Sequence, residues 1–70
     1  MPYQTNADLP ASVRDNLPAH AQDIFREAFN HAYDEYGHDE SQAFRVAWAA
    51  VEHEYHKDAS GKWVKGATKQ

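Results

Sequence analysis

The chain has 70 residues, no cysteine and a hydrophobic content of 41%, which bounds it to one small domain without disulfides or thiolate metal sites. Three Phe, four Tyr and two Trp supply enough apolar surface to argue against intrinsic disorder. A core of this size leaves little room for a cleft of about 300 Å³ or more, so we do not expect an enzyme.

Charge is distributed unevenly along the chain, whose formal net charge is −4 with histidine neutral. Residues 1–56 hold ten acidic residues against three arginines, a sum of −7, whereas residues 57–70 hold four lysines against one aspartate, a sum of +3. The acidic balance argues against a general nucleic-acid binder that works by neutralising phosphates. The sequence therefore predicts an acidic body and a basic tail.

No segment of the sequence has the pattern of a membrane span or a secretory signal. The longest apolar run, Val46–Val51, has six residues, whereas roughly 18 to 20 are needed to cross a bilayer. The N-terminus has neither a positively charged n-region nor an apolar h-region. We therefore expect a cytoplasmic protein without a transmembrane segment.

The first quarter of the chain contains two Leu-Pro pairs, Leu9-Pro10 and Leu17-Pro18. Proline is favoured at the first position of a helix, because the N–H that it lacks would have no partner there. The first pair predicts a short helix over about Pro10 to Asn16, and the second opens a longer helix.

The longer helix is predicted from Pro18 to Tyr36 by apolar residues that recur every three or four positions. Gly37 stands where a left-handed residue would end it. The apolar positions are Ala21, Ile24, Phe25, Ala28, Phe29, Ala32, Tyr33 and Tyr36. The positions between them are expected to face solvent, and they are Asp23, Arg26, Glu27, Asn30 and Asp34.

A second long helix is predicted after a short connection, with Asp39 and Gln42 as a capping pair or Ser41 alone as the cap. It should end near Lys57 and pair with the first long helix as a hairpin. Its apolar stripe is Ala43, Phe44, Ala47, Trp48, Val51 and Tyr55. We expect the buried centre of the hairpin to be Phe29, Phe44 and Trp48. On that expectation, Trp48→Ala costs about 3 to 5 kcal/mol of stability.

A small two-stranded ribbon is predicted to join the two ends of the chain. Asp58–Gly61 has the composition of a turn, and Lys62–Lys65 is compatible with a strand in which Trp63 turns inward. The expected partner strand is Met1–Thr5, where Tyr3 offers an aromatic contact. The fold class is thus mainly α, with one domain over residues 1–65 and a frayed tail over 66–70.

Five groups of residues along the chain resemble the ChaB family, small bacterial and viral proteins named for the regulation of cation transport. These groups are Met1-Pro2-Tyr3 with Leu9-Pro10, Leu17 to Ile24 (LPAHAQDI), Ala28-Phe29-Asn30, Ala47 to Val51 (AWAAV) and Gly61-Lys62-Trp63. The resemblance covers about residues 1–65. It implies a compact, mainly helical fold with a small two-stranded sheet, and association with a sodium or calcium/proton antiporter. It carries no family-wide catalytic or binding residue and implies no cofactor.

The residues offer no convincing catalytic or metal site. His53 and His56 are three residues apart, whereas an HExxH zinc motif needs its histidines four apart on one helix face. Glu27, His31 and Glu35, like Glu52 and His56, have four-residue spacing, and solvated helix surface explains them better than a cation site. The serines at 12, 41 and 60 fit a helix, a cap and a turn, and the three glycines are too scattered to cradle a phosphate.

His20 lies in the first turn of the long helix, where the positive end of the helix dipole disfavours a charged imidazole. We therefore expect His20 to be a neutral residue with a local hydrogen-bonding or packing role. A pH-sensing role is the alternative.

Two candidate surfaces remain for interaction with partners. Tyr33, Tyr36 and Tyr55 can form a protein-binding patch if the core is already filled. In the tail, Lys57, Lys62, Lys65 and Lys69 accompany Trp63 in a pattern similar to that of single-strand nucleic-acid binders. If Trp63 belongs to the core, however, it cannot stack on a base, and the lysines serve to protect an edge strand.

The function predicted from this reasoning is a non-enzymatic protein-interaction module that docks on the cytoplasmic face of a cation/proton antiporter. The candidate interaction residues are Tyr33, Tyr36, Tyr55, Lys62 and Lys65. A nucleic-acid-associated accessory protein that uses the basic tail is the competing hypothesis. The sequence leaves the oligomeric state open.

Overall fold

A computed structural model describes residues 2–66 of the chain. A 3₁₀ turn over Asn6–Asp8 precedes three helices, α1 (Ala11–Arg14), α2 (Ala19–Glu35) and α3 (Glu40–Glu54). Two strands follow, β1 (Tyr55–Lys57) and β2 (Trp63–Lys65), which pair as an antiparallel ribbon. The predicted fold class, mainly helical with a small two-stranded sheet, is confirmed. The predicted frayed tail lies outside the described residues except for Gly66.

The boundaries of the two long helices follow from the residues that flank them. Pro18 caps α2, and the left-handed Gly37 and His38, with φ of 67° and 69°, end it. The N–H of His38 donates to the carbonyl of Tyr33 at 2.7 Å, the bond that defines a Schellman motif. Asp39 then caps α3, because its Oδ1 accepts from the backbone N–H groups of Ser41 and Gln42. Of the two caps considered, Asp39 is therefore the one used.

The core lies where α2 packs against α3. Phe25 and Phe29 are fully buried, and their rings contact Phe44 with centroids 5.9 and 5.0 Å apart. The prediction for Phe29 is confirmed, but Phe44 and Trp48 are only partly buried and pack against the core from its edge. Phe25 holds the central position instead. The buried core residues are Leu9, Val13, Leu17, Ala21, Phe25, Phe29, Ala32, Ala43, Ala47, Val51 and Tyr55.

The ribbon is formed by neighbouring segments and not by the two ends of the chain. β1 pairs with β2 in a register that sets His56 opposite Val64, and Pro2–Thr5 has no strand. The predicted pairing of Met1–Thr5 with Lys62–Lys65 is therefore wrong, as is the predicted end of the second long helix near Lys57. The chain becomes extended at Tyr55, and a tight turn returns it directly. Closing so short a loop costs much less entropy than joining the ends of the chain.

The N-terminal segment, residues 2–9, lies along α2 as an arm that includes the 3₁₀ turn. The backbone N–H of Tyr3 donates to Oδ1 of Asn30 at 3.1 Å, and Nδ2 of Asn30 donates back to the carbonyl of Tyr3 at 2.7 Å. The ring of Tyr3 packs against Phe29 at 4.8 Å. Asn30 is only 6% exposed, so its predicted position in solvent is wrong, because the arm covers that side of α2.

A second polar group extends the contact between the arm and α2. Nδ2 of Asn6 donates to Asp23 at 2.7 Å, and Nε of Arg26 donates to Oδ1 of Asn6 at 2.8 Å. Asp23 and Arg26 are half-buried by these contacts, whereas they were expected to face solvent. Within residues 2–66, no helix is both long enough and apolar enough to cross a membrane.

The first testable prediction concerns the centre of the core. Phe25→Ala should lower the free energy of unfolding by about 3 to 5 kcal/mol, because it leaves a cavity between the two helices. Trp48→Ala should cost less, because Trp48 is partly exposed and its ring meets Phe25 from the edge, at 5.2 Å. Urea denaturation followed by circular dichroism gives both values, and a larger loss for Trp48→Ala would show that the centre is misplaced.

The second prediction concerns the arm. Asn30→Ala removes both hydrogen bonds to the backbone of Tyr3 and should cost about 1 to 3 kcal/mol. Hydrogen exchange of the Tyr3 amide should accelerate more than that of core amides in α2. Glu27→Ala, at an exposed position of the same helix, is the control and should leave the Tyr3 amide unchanged. Equal protection of Tyr3 in both variants would exclude the arm contact.

The third prediction concerns the turn between the strands. The Oδ1 of Asp58 accepts from the hydroxyl of Ser60 at 2.8 Å and from the N–H of Lys62 at 3.0 Å, and these bonds hold the pKa of Asp58 below its ordinary value. The stabilisation is therefore complete above the unfolded-state pKa and is lost as the pH falls through the lower folded-state pKa. An NMR titration of Ser60→Ala should show the pKa of Asp58 moving upward, and an unchanged curve would refute this.

Candidate functional site

The histidines and carboxylates do not converge on a catalytic or metal-binding centre. α3 ends at Glu54, so His53 lies on the helix while His56 lies on β1, and the two do not share a helix face. In the part of the chain that the structure describes, no three potential metal ligands come together. Of the four-residue pairs, His31 approaches Glu35 at 3.4 Å with both side chains exposed, and Glu52 and His56 belong to different elements.

The connection between α2 and α3 forms an acidic end of the molecule, which we call the hairpin tip (residues 31–40). Its four carboxylates belong to Asp34, Glu35, Asp39 and Glu40, and it contains no lysine or arginine. Tyr36 is 48% exposed and is the only large hydrophobic side chain that is exposed among residues 2–66. Tyr33 is half-buried, and its ring stacks on that of His38 with centroids 4.7 Å apart.

Tyr55 lies at the opposite end of the hairpin from Tyr33 and Tyr36. It is 5% exposed, and a hydrogen bond of 3.2 Å joins its hydroxyl to Nδ1 of His20. The predicted patch of three tyrosines therefore does not exist, because Tyr55 belongs to the core. His20 makes a hydrogen bond as predicted, but its partner is not local, because Tyr55 lies 35 positions away along the chain.

The second end of the molecule is the basic ribbon (residues 55–65), where Lys57, Lys62 and Lys65 are exposed. The ring of Trp63 stacks on Trp48 at 5.7 Å, and Nζ of Lys57 lies 5.8 Å from the Trp63 ring centre. Trp63 thus covers the core, as the alternative interpretation of the tail required. The lysines are also interspersed with acids, since Glu52 shares a groove with Lys57 and Asp15 shares another with Lys62.

Three grooves on the surface have volumes of about 410, 420 and 350 Å³. They exceed the size expected from the sequence, but they are open to solvent and not enclosed. The largest, beside α2, is lined by Arg26, Glu27, Asn30, His31 and Asp34. The walls of all three grooves mix both signs of charge.

The sequence did not reveal two of the polar contacts that the structure shows. His56 donates its Nδ1–H to the carbonyl of Gly66 at 2.7 Å and ties the end of β2 to β1. Asn30 pairs with the backbone of Tyr3. One signal was available: Asp23, Arg26 and Asn30 lie at three- and four-residue spacing on one stripe of α2, as expected of a polar surface that receives another segment.

Comparison with known proteins identifies the family. The family model described as ChaB matches residues 9–66. The Escherichia coli K12 protein named "Putative cation transport regulator ChaB" is 51% identical over 74 residues, which cover 93% of this chain and 97% of the relative. The protein of the same name from Shigella flexneri gives the same values.

A solved structure agrees with these matches. The NMR solution structure of "the putative cation transport regulator ChaB" has a TM-score of 0.83 and 49% sequence identity to this chain. The superposition covers 94% of this chain and 100% of that structure. Sequence and fold agree over nearly the whole length, and the chain belongs to the ChaB family.

Proposed function

We propose that this chain is a non-enzymatic regulatory module that binds a cation/proton antiporter at its cytoplasmic face through the hairpin tip. The relatives are named as cation transport regulators, which supports a regulatory role. We choose the hairpin tip as the binding surface because the ring of Tyr36 is exposed there, at an end of the molecule that holds four carboxylates. Exposed tyrosines are common anchors in protein interfaces.

The charge of the tip fits the chemistry of such a partner. Membrane proteins carry an excess of lysine and arginine in their cytoplasmic loops. Residues 31–40 carry no positive side chain other than histidine, so they would meet such a loop without like-charge repulsion. Attraction of this kind speeds association and weakens as salt screens it. The proposed complex should therefore be sensitive to ionic strength.

The nucleic-acid alternative has less support from the same structure. Base stacking needs a free aromatic face, and because Tyr55 is buried, the candidate in the basic ribbon is Trp63. Its ring lies against Trp48 and beneath the ammonium of Lys57. The neighbouring acids Glu52, Asp15 and Asp58 further reduce the positive potential of the basic ribbon.

The fourth prediction tests the partner and the surface together. A photo-crosslinking amino acid at position 36 should attach the chain to a cation/proton antiporter in membranes of the source cell. The same amino acid at position 12, which is exposed on α1, is the control and should not. Mass spectrometry identifies the attached protein. Repeated recovery of the same proteins from both positions, or of nucleic-acid-binding proteins from position 36, would contradict the proposal.

A variant at position 36 measures how much the tyrosine ring contributes to the binding free energy. Tyr36→Ala should weaken binding to the identified antiporter by about 2 kcal/mol, or roughly thirtyfold, if the ring is an anchor of the interface. The fold should be unaffected, because the side chain is exposed. Binding is measured on the antiporter in detergent, and ion transport is measured in proteoliposomes with and without the chain.

A further inference from the structure

Two backbone bonds at the ends of the basic ribbon determine which residues its hydrogen-bond ladder uses. The N–H of Asp58 donates to the carbonyl of Lys62 at 2.8 Å, and the N–H of Gly66 donates to the carbonyl of Glu54 at 2.7 Å. In an antiparallel pair, residues bonded to the partner strand alternate with residues whose N–H and C=O groups point away from it. The backbone groups of even-numbered residues in β2 therefore face β1, and those of odd-numbered residues face outward.

The outward-facing backbone groups of β2 belong to Trp63 and Lys65, which together present two donors and two acceptors. None of these four groups has a hydrogen-bond partner among residues 2–66. Within the same residues, β1 is the only helix or strand that β2 contacts extensively. The other edge of the ribbon differs, because the N–H of Tyr55 donates to the carbonyl of Val51 in α3. The outer side of β2 is therefore the free edge.

A free strand edge can bind an extended peptide, which then adds a strand to the sheet through main-chain hydrogen bonds. We propose that β2 binds an extended acidic segment of a partner protein in this way. The backbone of β2 supplies the hydrogen bonds, and its lysines select the acidic partner. The site lies at the opposite end of the hairpin from the tip, so the inference does not depend on the proposed binding to an antiporter.

The charges of β2 distinguish between the occupants that this edge could take. Residues 62–65 carry two lysines and no acid, a sum of +2. A second copy of the chain would bring two more lysines to the same edge, and lysine on an edge strand opposes pairing with a like strand. A carboxylate opposite a lysine, in contrast, forms a stabilising cross-strand pair. Charge complementarity therefore favours an acidic segment of another protein.

The acids near the ribbon leave the charge of Lys65 available. Each of these acids has a donor or a cation beside it: Asp58 accepts from the hydroxyl of Ser60, Asp15 lies 3.6 Å from Arg14, and Glu52 shares a groove with Lys57. Lys65 is exposed and lines none of the three surface grooves. Its ammonium group is therefore the one that meets a carboxylate on the added strand.

The pleat of the ribbon determines the sequence pattern of the peptide. Side chains of a strand alternate between the two faces of a sheet, and paired residues of neighbouring strands share a face. A peptide residue opposite Lys65 lies on the same face as that lysine, and the next residue lies with Val64 on the other face. Val64 is half-buried and apolar. The expected segment therefore has an acid at every second position, with a β-branched residue between.

The experiment uses the whole chain and, as the probe, a blocked pentapeptide of alternating glutamate and valine with glutamate at both ends. Amide hydrogen exchange is measured by NMR at low salt. In the free chain, the amides of Trp63 and Lys65 should exchange about tenfold or more faster than that of Val64, which already bonds to β1. Saturation with the peptide should slow both outward amides about tenfold and leave Val64 nearly unchanged.

Two further peptides separate backbone pairing from charge attraction. The same pentapeptide with every backbone nitrogen methylated keeps its charges but donates no hydrogen bond, and it should bind about tenfold or more weakly. A pentapeptide of alternating lysine and valine keeps the backbone but reverses the charge, and it should leave the exchange of Trp63 and Lys65 unchanged.

Variants at position 65 make the same separation on the chain. Lys65→Gln removes the charge but keeps the N–H, and it should weaken binding about twofold to fivefold. Lys65→Pro also removes the outward N–H and should weaken binding about tenfold or more; proline is tolerated on a free edge, and protection of the Gly66 amide reports an intact ribbon. Arg45→Gln, which removes one positive charge at an exposed position of α3, is the matched control and should bind as the wild type does.

Several results would overturn the inference. The first is protection of the Trp63 and Lys65 amides in the free chain, and the second is peptide binding that does not slow their exchange. Equal affinity for the methylated peptide would show that charge alone holds the probe. Slowing by phosphatidylglycerol vesicles or oligodeoxythymidine, but not by the peptide, would assign the ribbon to a membrane or a nucleic acid. Slowing that follows the concentration of the chain alone would assign the edge to a second copy.

Discussion

The structure depends on the packing of two phenylalanines of α2 against the small residues of α3. Phe25 and Phe29 are fully buried, and the facing positions Ala43 and Ala47 are alanines with no exposed surface. Small side chains on one helix let the other approach closely enough for large rings to fill the space between them. A chain of 70 residues without cysteine has no disulfide to stabilise it, so this core contact matters more than it would in a cross-linked domain. Most of its aromatic surface is therefore committed to this contact.

The packing of α2 against α3 sets the positions of the two charged surfaces of the molecule. Because α2 and α3 run antiparallel, the acidic tip lies at one end of the hairpin and the basic ribbon lies at the other, separated by the 15 residues of α3. At 1.5 Å per residue that distance is about 22 Å, more than twice the screening length of about 8 Å at physiological salt. The two ends thus act as electrically separate surfaces, even though the sequence alone shows only an acidic body and a basic tail.

The helices were predictable from the sequence because each signal is local. The period of apolar residues placed α2 to within one residue at each end, and Pro18 and Gly37 marked its boundaries. The capping side chain of α3 was narrowed to two candidates, of which Asp39 is the one used. The ChaB resemblance was also visible in the residues themselves.

Prediction failed for short segments whose contacts lie far away in the sequence. Such segments are too short to show a periodic pattern of apolar residues. Three-residue strands carry no pattern that selects a partner, so β1 was assigned to the end of a helix and its pairing was missed. Tyr55 then seemed available to a surface patch, whereas the start of the strand turns it into the core beside His20. Asn30 looked like a solvent-facing residue because its partner, the backbone of Tyr3, lies 27 positions away.

The conformation of His38 connects the fold to the proposed role of the tip. Glycine or asparagine satisfies a left-handed position at the end of a helix at little cost, whereas other residues lose about 1 to 2 kcal/mol there. In this chain Gly37 takes the first left-handed position and a histidine takes the second. The stack on Tyr33 and the bond from its N–H to the carbonyl of Tyr33 offset that cost. A turn needs only a residue that tolerates the backbone angles, but this one also places an imidazole 4.0 Å from Asp34, at the end of the molecule where Tyr36 is exposed.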